Sequence, residues 1–264
     1  MGPLDGIKVI DISTPKNRRE RILKIDAMLK NRVDVALSQQ SMNRDTLDEI
    51  KRANYTNEEY LDFVRELESR GKATTCELII PLPGETEESY YNSVKVLIDN
   101  GLRISTYTLM MLMGAELGRS QARKQFSMKS RYRVVPRQFG EYRGKKCFDI
   151  EEVCVQTDTM SYDAYLRCRR FSFLVEVLSF KFFDPMRRYL LEIGVSYYDL
   201  LRTIHQEFES NRSKKELSRV YEYFSRESEA ELFESFFKKS EYFLNDMIFD
   251  SKYNCLDPYH DESS

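Results

Sequence analysis

The segment from Gly71 to Tyr90, Gly-Lys-Ala-Thr-Thr-Cys-Glu-Leu-Ile-Ile-Pro-Leu-Pro-Gly-Glu-Thr-Glu-Glu-Ser-Tyr, limits the possible folds more than any other stretch of the chain. Cys76 to Ile80 is an apolar run opening on one carboxylate, and its length and flanks suit a buried strand. Pro81 and Pro83 stiffen the exit, and Gly84 permits close approach of backbone to a ligand. Thr86 then caps an acid-rich first helical turn. Strand, rigid turn and helix in this order suit a parallel barrel, which carries its chemistry where strands exit.

The neighbouring sequence repeats the alternation. Ile7 to Ile12 and Val33 to Leu37 are apolar, and a charged helix is predicted between them from about Lys16 to Lys30. Helical stretches cover Thr46 to Ala53 and Asn57 to Arg70, and strands are predicted at Thr74 to Ile80 and Ile104 to Leu112. Thr56 with Glu59 forms a capping box, and Gly71 supplies the stop. Thr86 to Asn100 reads as a helix closed by Gly101. About four strand-helix units in series predict an α/β fold, a partial TIM-like parallel barrel over residues 1–120.

After Gly118 the pattern changes. Arg131 to Phe139 and Cys147 to Thr157 predict a β-hairpin around Gly140 to Gly144, a closing segment spanning 121–160. A mostly α-helical C-terminal extension follows over 161–250, broken near Asp184-Pro185, Gly194 and Asn211, with Ser213 and Glu216 as a further capping box. Its Phe-rich stripe at Phe171, Phe173, Phe180, Phe182 and Phe183 suits a core or partner surface better than a cofactor box. Residues 251–264 are predicted to be a disordered tail.

Composition removes several function classes. With 41 basic and 43 acidic residues the net charge is -2, so no global field recruits nucleic acid or an anionic membrane. No stretch approaches the roughly 20 apolar residues of a membrane span, and the first residues lack a signal-peptide layout; the expectation is a cytoplasmic protein. The five cysteines, Cys76, Cys147, Cys154, Cys168 and Cys255, are too far apart for a zinc or cluster motif. Cys76 reads as a core residue, and Cys147 and Cys154 as a reduced pair on neighbouring strands. The two histidines, His205 and His260, read as structural or solvent-facing.

The polar residues of interest lie at strand ends. Ser38, Gln40 and Ser41 close one strand, Glu77 opens another, and Arg52 lies on the helix between them. Taken singly, Ser38-Gln39-Gln40-Ser41 is a strand exit with turn and capping duties, Arg52 a solvated helix charge, and Glu77 a paired carboxylate. Together, over roughly residues 7 to 180, they resemble the C-terminal part of a radical S-adenosylmethionine (radical SAM) core domain of the cobalamin-associated branch. The resemblance rests on Ser-Thr-Pro-Lys-Asn at 13–17, Leu-Ser-Gln-Gln-Ser-Met at 37–42, Ile-Lys-Arg-Ala-Asn at 50–54, Glu-Leu-Ile-Ile-Pro-Leu-Pro-Gly-Glu-Thr at 77–86 and Tyr-Arg-Val-Val-Pro-Arg-Gln-Phe-Gly-Glu-Tyr at 132–142.

The resemblance implies that Ser38, Gln40, Arg52 and Glu77 meet the methionine and ribose parts of S-adenosylmethionine, and that backbone near Ile79 to Pro81 faces adenine. The chemistry fits: a guanidinium holds a carboxylate bidentately, an amide reads amine or carboxylate, and a carboxylate accepts from ribose hydroxyls. Two positions depart from the family pattern: Pro81 stands where the family usually has Gly, and Met-Gly-Ala-Glu-Leu at 113–117 replaces a Pro-Gly-Thr turn.

The family also holds a 4Fe-4S cluster on three closely spaced cysteines, and this sequence has no such triplet. The resulting expectation places the first two strand-helix units upstream of Met1 or on a partner chain. The chain is then inactive alone, and cobalamin is implied only with an upstream binding domain. Two other functions compete: a non-catalytic binding or scaffold protein derived from the same barrel, and a barrel enzyme using Glu77 and Glu85 as acid and base beside Lys16.

Overall fold

The computed structural model describes residues 10–13, 19–29, 32–36, 38–52, 55–71, 75–210 and 216–234. Lys16, Ser213, Cys255, His260 and the tail at 251–264 lie outside the described residues, and with them the capping box at 213 and the disorder expected of the tail. The fold is mixed α/β. Strands β1 (Ile10–Ser13), β2 (Val33–Ala36), β3 (Thr75–Ile80) and β4 (Arg103–Thr108) are interleaved with helices α1 (Arg19–Met28), α2 (Arg44–Glu49), α3 (Asn57–Ser69) and α4 (Glu87–Asp99). A short helix α5 (Ser120–Gln125) precedes the hairpin of β5 (Lys129–Tyr142) and β6 (Lys145–Gln156), and α6 (Tyr162–Leu178), α7 (Asp184–Glu192), α8 (Tyr197–Glu209) and α9 (Glu216–Ala230) follow.

β1 pairs with β2 and β3 with β4, both in parallel, while β5 and β6 are antiparallel. These three two-stranded sheets are linked by single bridges, Gln40 to Leu78 and Met110 to Val153. Among the described residues, β1 has no second strand neighbour.

Local chemistry explains the element ends. The Thr56 hydroxyl accepts from the Glu59 amide and the Glu59 carboxylate accepts from the Thr56 amide, so α3 starts on a complete capping box. Thr86 and Ser89 make the same reciprocal pair at the start of α4. The hairpin turns on Arg143 and Gly144, both at positive φ (53° and 74°), as a two-residue turn between twisted strands requires. Asp184-Pro185 opens a helix instead of only breaking one, because proline is tolerated in a first turn whose N–H groups have no partner.

Cys76, Leu78 and Ile80 enter the main core with Tyr90, Val94 and Phe171. Their alternation matches the period of a strand buried on one face. Two hydroxyl pairs fasten the helices to β4: Tyr90 with Thr106 at 3.0 Å and Tyr165 with Thr108 at 3.1 Å. Arg167 grips Glu87 through Nε and Nη2 at 2.8 and 2.6 Å, joining α6 to α4. Of the Phe-rich stripe, Phe171 is buried and Phe173 stacks on Phe224 at 4.2 Å, whereas Phe180 and Phe182 are exposed. No described helix is long and apolar enough to cross a membrane.

Candidate functional site at the strand exits

The half-buried face of β3 carries Thr75, Glu77 and Ile79. The register of β4 sets Ser105 beside Glu77 and Tyr107 beside Ile79. Partial burial, with the nearby carboxylates of Glu77 and Glu176, raises the phenol pKa of Tyr107. Tyr107 is half exposed and was not singled out from the sequence; an aromatic alternating with hydroxyl residues on a strand gives no sign of a carboxylate partner.

The segment after β2 meets this face through backbone. Gln40 adopts φ 68°, a left-handed conformation unusual for a residue with a Cβ. Its N–H donates to the Glu77 carbonyl at 2.8 Å, and its carbonyl accepts from the Ile79 N–H at 2.9 Å. The neighbouring residues are fixed from the buried side. Gln39 Nε2 donates to the Tyr55 carbonyl at 3.2 Å, the Met42 N–H donates to Ser93 Oγ at 3.2 Å, and Asn57 Nδ2 donates to the Met42 carbonyl at 3.1 Å. Gln39 and Ser41 are buried, while Ser38 and Gln40 remain half-buried.

Arg52 follows α2 and is half-buried, its N–H bonded to the Leu47 carbonyl at 2.8 Å. Burial alone lowers its pKa, and its guanidinium has no carboxylate partner among the described residues. Ile50, two residues earlier, packs in the same small apolar cluster as Ile79, Leu82 and Leu109, which brings the end of α2 to the exit of β3. Of the sequence-predicted residues, Gln40, Glu77 and Ile79 are therefore in direct backbone contact. Arg52 belongs to a segment packed on the same strand end, and Ser38 lies two residues before Gln40.

Two sequence readings change. The close approach at Gly84 is made by α2: a Cβ there would stand 3.3 Å from Glu49 Cγ and 3.4 Å from Thr46 Cα, at φ +78°. Glu85 is enclosed, with its residue 1% exposed; its carboxylate accepts from the Ser89 hydroxyl, and the Ser41 hydroxyl lies near it. Burial raises its pKa and the two serines oppose the rise. An enclosed group held by Ser89 is poorly disposed to act as acid or base with Glu77.

The described cysteines do not form a cluster of ligands. Cys76 (β3), Cys154 (β6) and Cys168 (α6) are buried on three elements and Cys147 is exposed on β6. Among the described residues, no group of three or more His, Cys, Asp or Glu side chains could hold a metal ion. His205 lies in α8 between two phenols, with Nδ1 2.9 Å from Tyr221 Oη and Nε2 3.4 Å from Tyr91 Oη.

No protein-family model matches the chain. The chain is 29% identical over 189 residues to the cobalamin-dependent radical SAM methyltransferase TokK of Streptomyces tokunonensis, with 67% of this chain and 26% of that protein covered. The chain thus spans about a quarter of the length of the relative it matches. The likeness is to a radical SAM-related protein, the superfamily that the segments at 37–42, 50–54 and 77–86 resemble.

Proposed function

We propose that this chain is the C-terminal part of a radical SAM catalytic domain, contributing the S-adenosylmethionine pocket and the helical region beside the substrate. In this reading β1 to β4 are an arc of a partial parallel barrel, and the units that hold the cluster come from an upstream half or a partner chain. The outer side of β1, unpaired among the described residues, is the edge to which further strands would add.

The observation that carries the reading is Arg52, a half-buried guanidinium with no carboxylate partner among the described residues, at the same strand end as the strained Gln40. Desolvating a cation without a partner is unfavourable, and a bidentate carboxylate compensates by roughly 1.5 to 3 kcal/mol. The residues fit the cofactor's groups. Arg52 would hold the methionine carboxylate, Gln40 would bond its amine or carboxylate, and Glu77 would accept from the ribose hydroxyls. Ser38 adds a hydroxyl at the rim, and backbone at Ile79 borders the adenine.

When bound in the intact enzyme, S-adenosylmethionine supplies a sulfonium that is cleaved reductively to begin hydrogen abstraction. The described cysteines do not fit a 4Fe-4S cluster, so no step is assigned to one on this chain. Cobalamin belongs only to an intact parent or complex with its own binding domain.

Calorimetric titration of the purified chain with S-adenosylmethionine tests the proposal. Saturable binding should be weakened at least about tenfold in Arg52→Ala, the loss of one charge-assisted bidentate contact. A folded chain that does not bind favours the alternative, a non-catalytic binding or scaffold protein built on the same strands.

A further inference from the structure

Near the end of β4, ion pairing leaves one carboxylate without a counter-charge. A cavity of about 200 Å³ lies there between β4, β5, α6 and α9. Its charged lining is Arg133, Arg169 and Glu176. Both cations are already matched: Arg133 Nε bonds Glu151 at 2.5 Å, and Arg169 Nη2 pairs with Glu231 at 2.7 Å. Two lining hydroxyls are also taken, Thr106 by Tyr90 and Thr108 by Tyr165. Glu176, exposed on the last turn of α6, has no cationic partner among the described residues, although two guanidiniums share its cavity.

The remaining lining suits a cation on an apolar stem. Phe173 and Phe224 stack at 4.2 Å with their planes 10° apart, and Tyr107 adds a half-exposed phenol ring. Both phenylalanines are half-buried and stand outside the main core, so core packing does not account for the pair. Aromatic rings attract an ammonium group and pack against the carbons that carry it. We propose that this cavity binds a ligand bearing one ammonium group, with the Glu176 carboxylate as its counter-charge and Phe173, Phe224 and Tyr107 as walls around its stem. The two cations are offset by Glu151 and Glu231, so a single positive charge on the ligand balances what remains. The cavity is smaller than the pockets that enclose drug-sized molecules, and it takes a small amine or the amino end of a larger one.

The site stands on this geometry alone, while reading its occupant as the substrate rests on the function proposed above. Tyr107 links the two, since it lines the cavity and lies beside Ile79 in the register of β3 and β4. With backbone at Ile79 bordering the adenine, the amine would sit next to S-adenosylmethionine as a second ligand.

Chemical-shift titrations of the full chain with benzylamine and its uncharged analogue benzyl alcohol test the site without S-adenosylmethionine. Benzylamine should move the amides of Tyr107, Phe173 and Phe224. It should bind about fivefold more tightly than the alcohol, a modest factor because Glu176 is open to solvent. Glu176→Gln keeps the size of an exposed side chain and so the fold, and it should abolish that preference. Equal affinity for the two probes, shifts confined to other surfaces, a preference that survives in Glu176→Gln, or no binding at all overturns the site.

Repeating the benzylamine titration with S-adenosylmethionine present tests the assignment to a second ligand. Benzylamine affinity that is unchanged or tighter supports it. Competition between the two gives the cavity to the cofactor and overturns the substrate reading. If the chain does not bind S-adenosylmethionine, the proposed function fails, and the comparison of amine with alcohol still decides the site.

Discussion

A glutamine held at φ 68° gives up roughly 1 to 2 kcal/mol relative to an ordinary conformation, so its neighbours must supply that energy. They do so through the Glu77 and Ile79 backbone and the buried contacts of Gln39, Ser41 and Met42. His205 is a second residue whose surroundings set its chemistry. Burial pushes its pKa down to about 4, with Arg202 and Arg170 adding to the shift and Glu209 opposing it. The unfolded chain, with an ordinary value near 6.5, binds the proton more tightly than the fold. The stability His205 contributes is therefore full above about pH 6.5 and is lost as pH falls through about 4. That difference amounts to roughly 3 kcal/mol by linkage. Urea titrations from pH 7 to pH 4 should show a shallower acid loss in His205→Gln by about that amount; parallel profiles would contradict it. The sequence left His205 structural or solvent-facing; burial between two phenols makes it structural, and those partners, 114 and 16 residues away, could not be read from the sequence.

At the scale of elements, the contact between α2 and the turn after β3 is the most sensitive to a single methyl group. Gly84→Ala would force a Cβ to φ +78° and to 3.3 Å from Glu49 Cγ. The expected cost is about 1 to 2 kcal/mol, read as a lower urea midpoint with an unchanged slope. A midpoint equal to wild type would show that α2 yields freely. The ends of α3, β3 and α4 were legible because capping boxes, glycine stops and alternation are local signals. The full length of β5 was not. Its residues are charged where strands are usually apolar, and it is held by partners across the hairpin: Arg133 lies opposite Glu151 and bonds it at 2.5 Å. Arg123 likewise reaches Glu152 from α5, a pairing that only the folded hairpin creates. The glycine at 84 was legible as a close approach, while what approaches it was not, since α2 lies about forty residues away in sequence.

For the whole molecule, one core unites β3, β4 and the helices that follow them, and leaves a face of Glu77, Ile79, Ser105 and Tyr107 beside the Gln40 and Arg52 segments. The order of strands and helices was legible because each unit carries its own period. Gln40, Arg52 and Glu77 stood out only as a constellation. The conformation of Gln40 and the enclosure of Glu85 were not legible, because both depend on packing between segments distant in sequence. In the proposed function, Arg52 reads the carboxylate of S-adenosylmethionine. The most direct test of that role is to titrate wild type and Arg52→Ala with S-adenosylmethionine and with its decarboxylated analogue. Wild type should prefer the carboxylate-bearing molecule by about tenfold or more, and the preference should vanish in Arg52→Ala. Equal affinity of wild type for both ligands, or a preference that survives in the variant, would contradict that role of Arg52.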